Sequence, residues 1–460
     1  MRFLGLDLGS SFIKGAILDL DTLSIRHIER RPFPEPISGL NPAFREFKPA
    51  EIVAAAHSLL EELLRREPAA AGIVMCSQLH GLVFTTEDGR AQSNLINWQD
   101  QRALQPLPGA AGSYFDELNR RISTEERRQL GNEPRPGVPL CFLFWLAHNG
   151  MLPTSRAVAA ALPSFVVANL CGCAPKSDIT NAFAHGALNV ETLGWHLPVI
   201  ERVGLDKVGW PEIVPQGATV GELKLSSCTL PVFAPVGDYH CSQVGAFLDS
   251  DELSVNISTG SAVIQLARGC EFGDFQTRPW FDGFFLKTVT HIPGGRALTA
   301  LVRLLSELAE AQGMKLDDPW RYILAEAERI ESTDLRVDPA FYFSAMGDRG
   351  AITNAREENL AVGHLFHAAF TGMADNYARC AVRLSPGKDW KQLVFSGGVA
   401  LKTTLLRRLI CDRLGQAHRL AASDEDTLLG LLVLSLAFSG RFPSVAKAIA
   451  FARNNYQSAA

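Results

Sequence analysis

The chain opens on two apolar runs broken by small polar residues. Phe3-Leu4-Gly5-Leu6-Asp7-Leu8-Gly9 leads into Ser10-Ser11, and Phe12-Ile13-Lys14-Gly15-Ala16-Ile17-Leu18 follows. Strand, small-residue turn and strand predict a hairpin. Residues 253–266 repeat the plan, with alternating apolar positions interrupted by Ser258-Thr259-Gly260-Ser261. One such unit in each half predicts two related domains, residues 1–245 and 246–460, each giving a hairpin to a shared cleft. Between the hairpins, apolar residues at helical spacing predict a helix over 50–66, and 72–76 reads as a buried strand. Residues 82–84 with the turn Glu87-Asp88-Gly89-Arg90 read as another hairpin. In the second half, helices are predicted over 297–312, 318–330, 362–383 and 403–414. A short strand at 392–395 runs straight into Ser396-Gly397-Gly398. This alternation predicts an α/β fold. The apolar run 428–438 is too short to cross a bilayer and reads as a buried helix.

Length supports the division, because 460 residues exceed what one core usually organises. With 47% hydrophobic and 20% charged residues and a formal charge of −5, the composition is that of an ordinary soluble protein. No Lys/Arg-rich run offers a footprint for nucleic acid or an anionic membrane, so small-molecule chemistry is expected. Asp7 interrupts the first apolar run and no small-residue cleavage site follows, so the cytoplasm is the expected compartment. Nine cysteines without CxxC groups predict reduced thiols, with Cys171 and Cys173 packed rather than metal-bound.

Asp7 ends a buried strand, where a carboxylate needs a charged or polar partner such as a metal ion. Gly9 lets backbone amides approach a phosphate, Ser10 and Ser11 add donors, and Lys14 adds positive charge. Alone, this is equally a tight turn with a solvated lysine. Gly260-Ser261 in the second hairpin favours a phosphate grip. Ser396-Gly397-Gly398 before a helix leaves room for a base or ribose against bare backbone, although by itself it is a plain strand-to-helix turn. Three glycine-centred turns in this order are more specific than any one of them.

These motifs resemble the FGGY carbohydrate kinases, over essentially the whole chain. The resemblance implies two actin-like ATPase (ribonuclease H-like) domains flanking a deep catalytic cleft, with ATP and Mg²⁺ as cofactors. Asp7 to Lys14 matches the family's first phosphate segment, Gly260-Ser261 its second, and Ser396-Gly397-Gly398 its adenosine segment, with Val399 where a small residue is frequent. Cys76-Ser77-Gln78-Leu79-His80-Gly81 is similar to the SGQMHG of ketose kinases, which implies sugar contacts from Gln78 and His80. Trp98-Gln99-Asp100-Gln101-Arg102 resembles the family's WxDxR. There Trp98 would face sugar carbons, while Asp100 and Arg102 would pair with hydroxyls or with each other. Gly237-Asp238 falls where the family carries its catalytic aspartate, so Asp238 is the expected general base and, with Asp7, a metal contact. Asp238 also suits a helix cap, and Tyr239 beside it would line the sugar pocket.

The segments at 76–81, 98–102, 142–146 and 256–259 look most like sedoheptulokinase, implying a ketose such as sedoheptulose. Xylulokinase-like or other FGGY sugar and polyol kinases are the alternatives. An actin-like or chaperone-like ATPase and an inactive sugar-binding relative are rivals of other classes. Gly347-Asp348-Arg349 resembles the family's GER turn and implies an internal salt bridge. Arg296 is expected at the surface, Asp178 and Asn181 in domain architecture, and Asp426 at a helix start. Sugar and ATP are the expected partners of a monomer or homodimer, with neither nucleic acid nor membrane.

Overall fold

The structure, a computed structural model, describes residues 1–226 and 228–457. Its frame is a pair of mixed sheets with a common plan. In the first, the order is Ser24–Pro32, Phe12–Asp19, Arg2–Leu8, Ile73–Ser77 and Thr229–Phe233, with Thr219–Lys224 at the edge. The first three strands pair antiparallel, and Arg2–Leu8, Ile73–Ser77 and Thr229–Phe233 then run parallel. In the second, the order Phe285–Ile292, Ser261–Ala267, Glu252–Ile257, Gln392–Ser396, His418–Leu420 repeats this sequence of two antiparallel and two parallel pairings. Gln276–Pro279 adds an outer strand to it. The duplicated hairpins are therefore the first two strands of two like sheets.

Helix Pro49–Arg66 begins on a proline, whose missing N–H costs nothing in a first turn. It lays Ile52, Ala56, Leu59, Leu60 and Leu63 on one face of the first sheet. Helix Val362–Leu384 covers one face of the second sheet in the same way. The opposite faces of both sheets share one core, which is filled by helices Asp238–Gly245 and Asp426–Phe438. These two helices cross at Gly245 and Gly430. A Cβ on Gly430 would stand 2.0 Å from the Cys241 carbonyl oxygen, and one on Gly245 would stand 1.9 Å from that of Asp426. Only glycine permits so close a backbone approach.

Most predicted elements lie within a few residues of the observed ones, and one expectation changes. Leu82–Thr85 turns back through Glu87–Arg90, with Thr86 N–H on the Arg90 carbonyl at 2.9 Å and Gln92 N–H on the Phe84 carbonyl at 2.7 Å, and pairs antiparallel with Leu95–Ile96 as expected, while Val158–Ala161 joins it in a small four-stranded sheet. The expected salt bridge in Gly347-Asp348-Arg349 is absent: both charged side chains are exposed, where water solvates them, and neither enters an ion pair among the described residues. No helix among the described residues is long and apolar enough to cross a membrane.

Candidate active site

The cleft is edged by the ends of the parallel strands, and the register fixes what stands there. Asp7 pairs laterally with Cys76, and Val236 and Gly237 pair with Cys76 and Ser77 from the other side. Asp7 and Asp238 therefore flank the end of one strand. Asp7 is buried; its Oδ2 accepts from Thr427 Oγ1 at 2.8 Å, and its Oδ1 has no hydrogen-bond partner among the described residues. Burial holds its carboxyl above the usual range. Burial, reinforced by the Asp7 charge, pushes Asp238 up to about 8, and burial pushes Asp426 up to about 6. The Asp238 carboxylate accepts from the amide of Tyr239 at 2.7 Å, and Gly237 rather than Asp238 holds the cap position of the helix.

A buried frame holds that aspartate. Asp178 accepts from Thr180 Oγ1 at 2.8 Å, and that hydroxyl accepts from Gly237 N–H at 2.9 Å. Asn181 Nδ2 donates to the Pro235 carbonyl at 2.7 Å. The segment expected to serve architecture thus holds Pro235 and Gly237, just before Asp238.

Gly9, Ser10 and Ser11 form the exposed first turn, and Gln78, joined by Asn97 Nδ2 at 2.8 Å, lies beside it. Lys14 stands across from Asp7, with its Nζ on Glu425 at 2.9 Å. Glu425 and Asp426 form the start of helix Asp426–Phe438.

In the second half, three turns converge. Gly295 N–H and Arg296 N–H donate to the carbonyls of Ser258 and Thr259, at 2.8 and 3.0 Å. A Cβ on Gly294 would meet Ser261 Oγ at 2.2 Å. Gly397 has φ +86°, and a Cβ there would stand 2.5 Å from the Ile257 carbonyl oxygen. Gly260 is exposed and Gly398 opens a short helix. Together these turns edge a pocket of about 660 Å³, closed by Trp320, Val399 and Lys402. Arg296 is exposed with its guanidinium 4.3 Å from the Tyr342 ring centre, and it borders this pocket.

On the opposite wall, Trp98 is 39% exposed and presents an open face. Asp100 and Arg102 turn to each other: Arg102 Nε and Nη2 each donate to the Asp100 carboxylate at 2.8 Å, and Nη2 also reaches Glu46. Both are buried, and the Arg102 guanidinium lies 4.4 Å from the Phe44 ring centre. His80 adopts φ +64°, and its Nδ1 meets the Ala184 carbonyl at 2.7 Å. Sequence reasoning missed its neighbours. Glu133 is buried and paired with Arg278, Nη2 to Oε1 at 3.0 Å, and with Arg135 at 3.0 Å. Arg278 lies over the rings of Tyr239 and Phe183. Tyr239 OH meets Thr288 Oγ1 at 2.6 Å. Two arginines and a glutamate in the loop and strand stretches GNEPRPG and QTRPW were the only available signal.

Two α/β sheets of repeated order define the actin-like, ribonuclease H-like architecture. Solved structures share the fold over the whole chain. They include gluconate kinase from Lactobacillus acidophilus (TM-score 0.83, 18% identity, 100% of this chain and 92% of that one). Glycerol kinase from Plasmodium falciparum with ADP is similar (TM-score 0.82, 18% identity, 100% and 93%). In sequence, residues 2–240 match the FGGY family of carbohydrate kinases, N-terminal domain, and the chain belongs to that family. It is 26% identical to the glycerol kinase of Thermus brockianus over 422 residues, 85% of this chain and 81% of the relative. With the glycerol kinase of Chloroflexus aurantiacus it shares 24% identity over 246 residues, 48% of this chain. That match spans about half, 46%, of the relative's length.

Proposed function

We propose that the chain transfers the γ-phosphoryl group of ATP to a hydroxyl of a sugar or polyol, with Asp238 as general base. The observation that carries this reading is the placement of Asp238. It is a carboxylate of raised pKa at the end of the parallel strands, held by the Asp178–Thr180–Gly237 frame across one strand from Asp7 and the glycine turn that follows it. In the transfer, the substrate oxygen bonds to the γ-phosphorus while the bond from that phosphorus to the β,γ-bridging oxygen breaks. The hydroxyl proton passes to Asp238, and ADP leaves. The nucleotide would occupy the pocket edged by Gly295 and Gly398, with Gly397 shaping the turn behind it, and its phosphates would reach between the turns at Gly9–Ser11 and Gly260-Ser261.

The residues fit Mg²⁺ bound mainly through water and phosphate oxygens. Asp7 Oδ1 is buried without a partner, and no cluster of three His, Cys, Asp or Glu able to enclose a metal exists among the described residues. Asp7 and Asp238 would hold that ion, which neutralises charge developing on the phosphates. Trp98, Gln78, His80 and Tyr239 would line the sugar side, with Asp100 and Arg102 bracing it from behind. The finer reading, a ketose such as sedoheptulose, rests on the motifs at 76–81 and 98–102. Residues 1–245 and 246–460 would act as the sugar and nucleotide domains, closing on each other to exclude water.

Sugar-dependent ADP release tests the reading. Asp238→Asn should lower it by about 10³-fold, while sugar-dependent thermal stabilisation persists. Survival of phosphorylation in that variant would remove Asp238 as base. Rapid ATP hydrolysis indifferent to every sugar would instead favour a chaperone-like ATPase.

A further inference from the structure

The sugar-side wall holds more positive than negative charge. Arg135 and Arg278 share one carboxylate, Glu133, and all three side chains are buried or nearly so, with Arg135 at 19% exposure. The two histidines beside them add no charge. His80 Nδ1 faces a carbonyl at 2.7 Å and must carry the proton there, which makes Nε2 an acceptor for Arg135 Nη2 at 2.8 Å. Burial and the two arginines hold His80 neutral, and the Arg135 charge pushes His291 down to about 3. An unmatched buried cation costs several kcal/mol unless something completes it.

Arg135 is also built to face a ligand. It sits between Pro134 and Pro136, which stiffen its loop, and Gly137 at φ +89° docks that loop on the Trp98 carbonyl oxygen. Nη2 donates to His80 Nε2 and lies 3.0 Å from Glu133 Oε1 as an ion pair, and Nη1 donates to Thr290 Oγ1 at 3.4 Å. No protein acceptor meets its Nε–H among the described residues. The strained φ of His80 is consistent with a side chain placed for a function rather than for packing.

We infer that the substrate is a sugar acid, a polyhydroxylated chain whose carboxylate is received by Arg135 at the end of the cleft away from the nucleotide. This rests on the kinase reading above and puts a sugar acid in place of the neutral ketose of its finer form. The carboxylate is a spectator, and the phosphoryl transfer is unchanged. A single negative charge balances the single positive surplus, whereas a phosphate dianion would overshoot it beside Glu133. His80 is a positioning residue that aims Arg135.

The test compares ADP release from MgATP with aldonates and uronates of four to seven carbons, the matching neutral ketoses and polyols, and sugar phosphate monoesters. The expected result is a kcat/KM for one or more acids at least tenfold above its neutral counterpart. In Arg135→Gln, the KM for the acid should rise about 100-fold with kcat changed by less than about threefold, a rise at least tenfold larger than for any neutral substrate; Arg135→Lys should restore part of the loss. A purely structural role would not separate acids from neutral sugars. Preference for a neutral ketose or polyol, with the acids inert, would overturn the inference and leave the kinase reading standing. Preference for phosphate monoesters would overturn the carboxylate. ADP release independent of every sugar would overturn both readings, and the wild-type panel decides among these outcomes even if the variants fail to fold.

Discussion

At the scale of single residues, the cleft is organised by carboxyls held away from their ordinary ionisation. Asp238, with its carboxyl pushed up to about 8, binds its proton more tightly in the folded chain than in the unfolded one. Its contribution to stability is therefore fully present below about pH 4 and is lost as pH rises toward 8. Asp238→Asn removes that loss. In EDTA without nucleotide, the variant should melt progressively higher relative to wild type between pH 5 and 8, by on the order of 4 kcal/mol at the upper end; a constant difference across that range would refute the shifted carboxyl. Asp7 has its counterpart in the second sheet at Asn256, one strand position from the turn in each hairpin. Asn256 donates to Ser396 Oγ at 2.8 Å, whereas Asp7 keeps one oxygen free. The duplicated plan thus places charge in only one half, beside Asp238.

At the scale of elements, turns and caps set the geometry. Thr180→Val leaves the Gly237 amide and an Asp178 oxygen without partners, which should cost about 1–3 kcal/mol of stability. It should also lower kcat about tenfold at unchanged KM for ATP, and Thr180→Ser should recover both; steady-state kinetics and thermal melts measure this. Gly397→Ala forces a Cβ onto the Ile257 carbonyl oxygen at a positive φ, so nucleotide-dependent thermal stabilisation should disappear and the melting temperature should fall. The glycine turns and hairpins were legible in sequence because each is a local pattern: small residues between alternating apolar ones. The Asp100–Arg102 pairing was legible too, being two positions apart. The Glu133–Arg278 pair was not, since its members lie 145 residues apart and only the tertiary fold brings them together. The Gly347-Asp348-Arg349 turn shows the opposite failure. A local motif suggested an ion pair that the exposed side chains do not make.

At the scale of the molecule, both sheets lean on the crossing of helices Asp238–Gly245 and Asp426–Phe438. Gly430→Ala places a methyl group 2.0 Å from the Cys241 carbonyl oxygen, so the helices must separate; a loss of about 3 kcal/mol or more is expected in chemical denaturation. The resulting shift should loosen the first and second sheets together, because residues of both share that core. The same helix supplies Thr427 to Asp7, 420 positions away, and Glu425 to Lys14, 411 positions away. During synthesis at roughly 5–20 residues per second, the opening hairpin therefore waits about 20–85 s for the groups that complete it. The first half leaves the ribosome with one apolar face of its sheet uncovered, so nascent chains arrested before residue 426 should be bound by holdase chaperones and be readily proteolysed, in contrast to full-length chains.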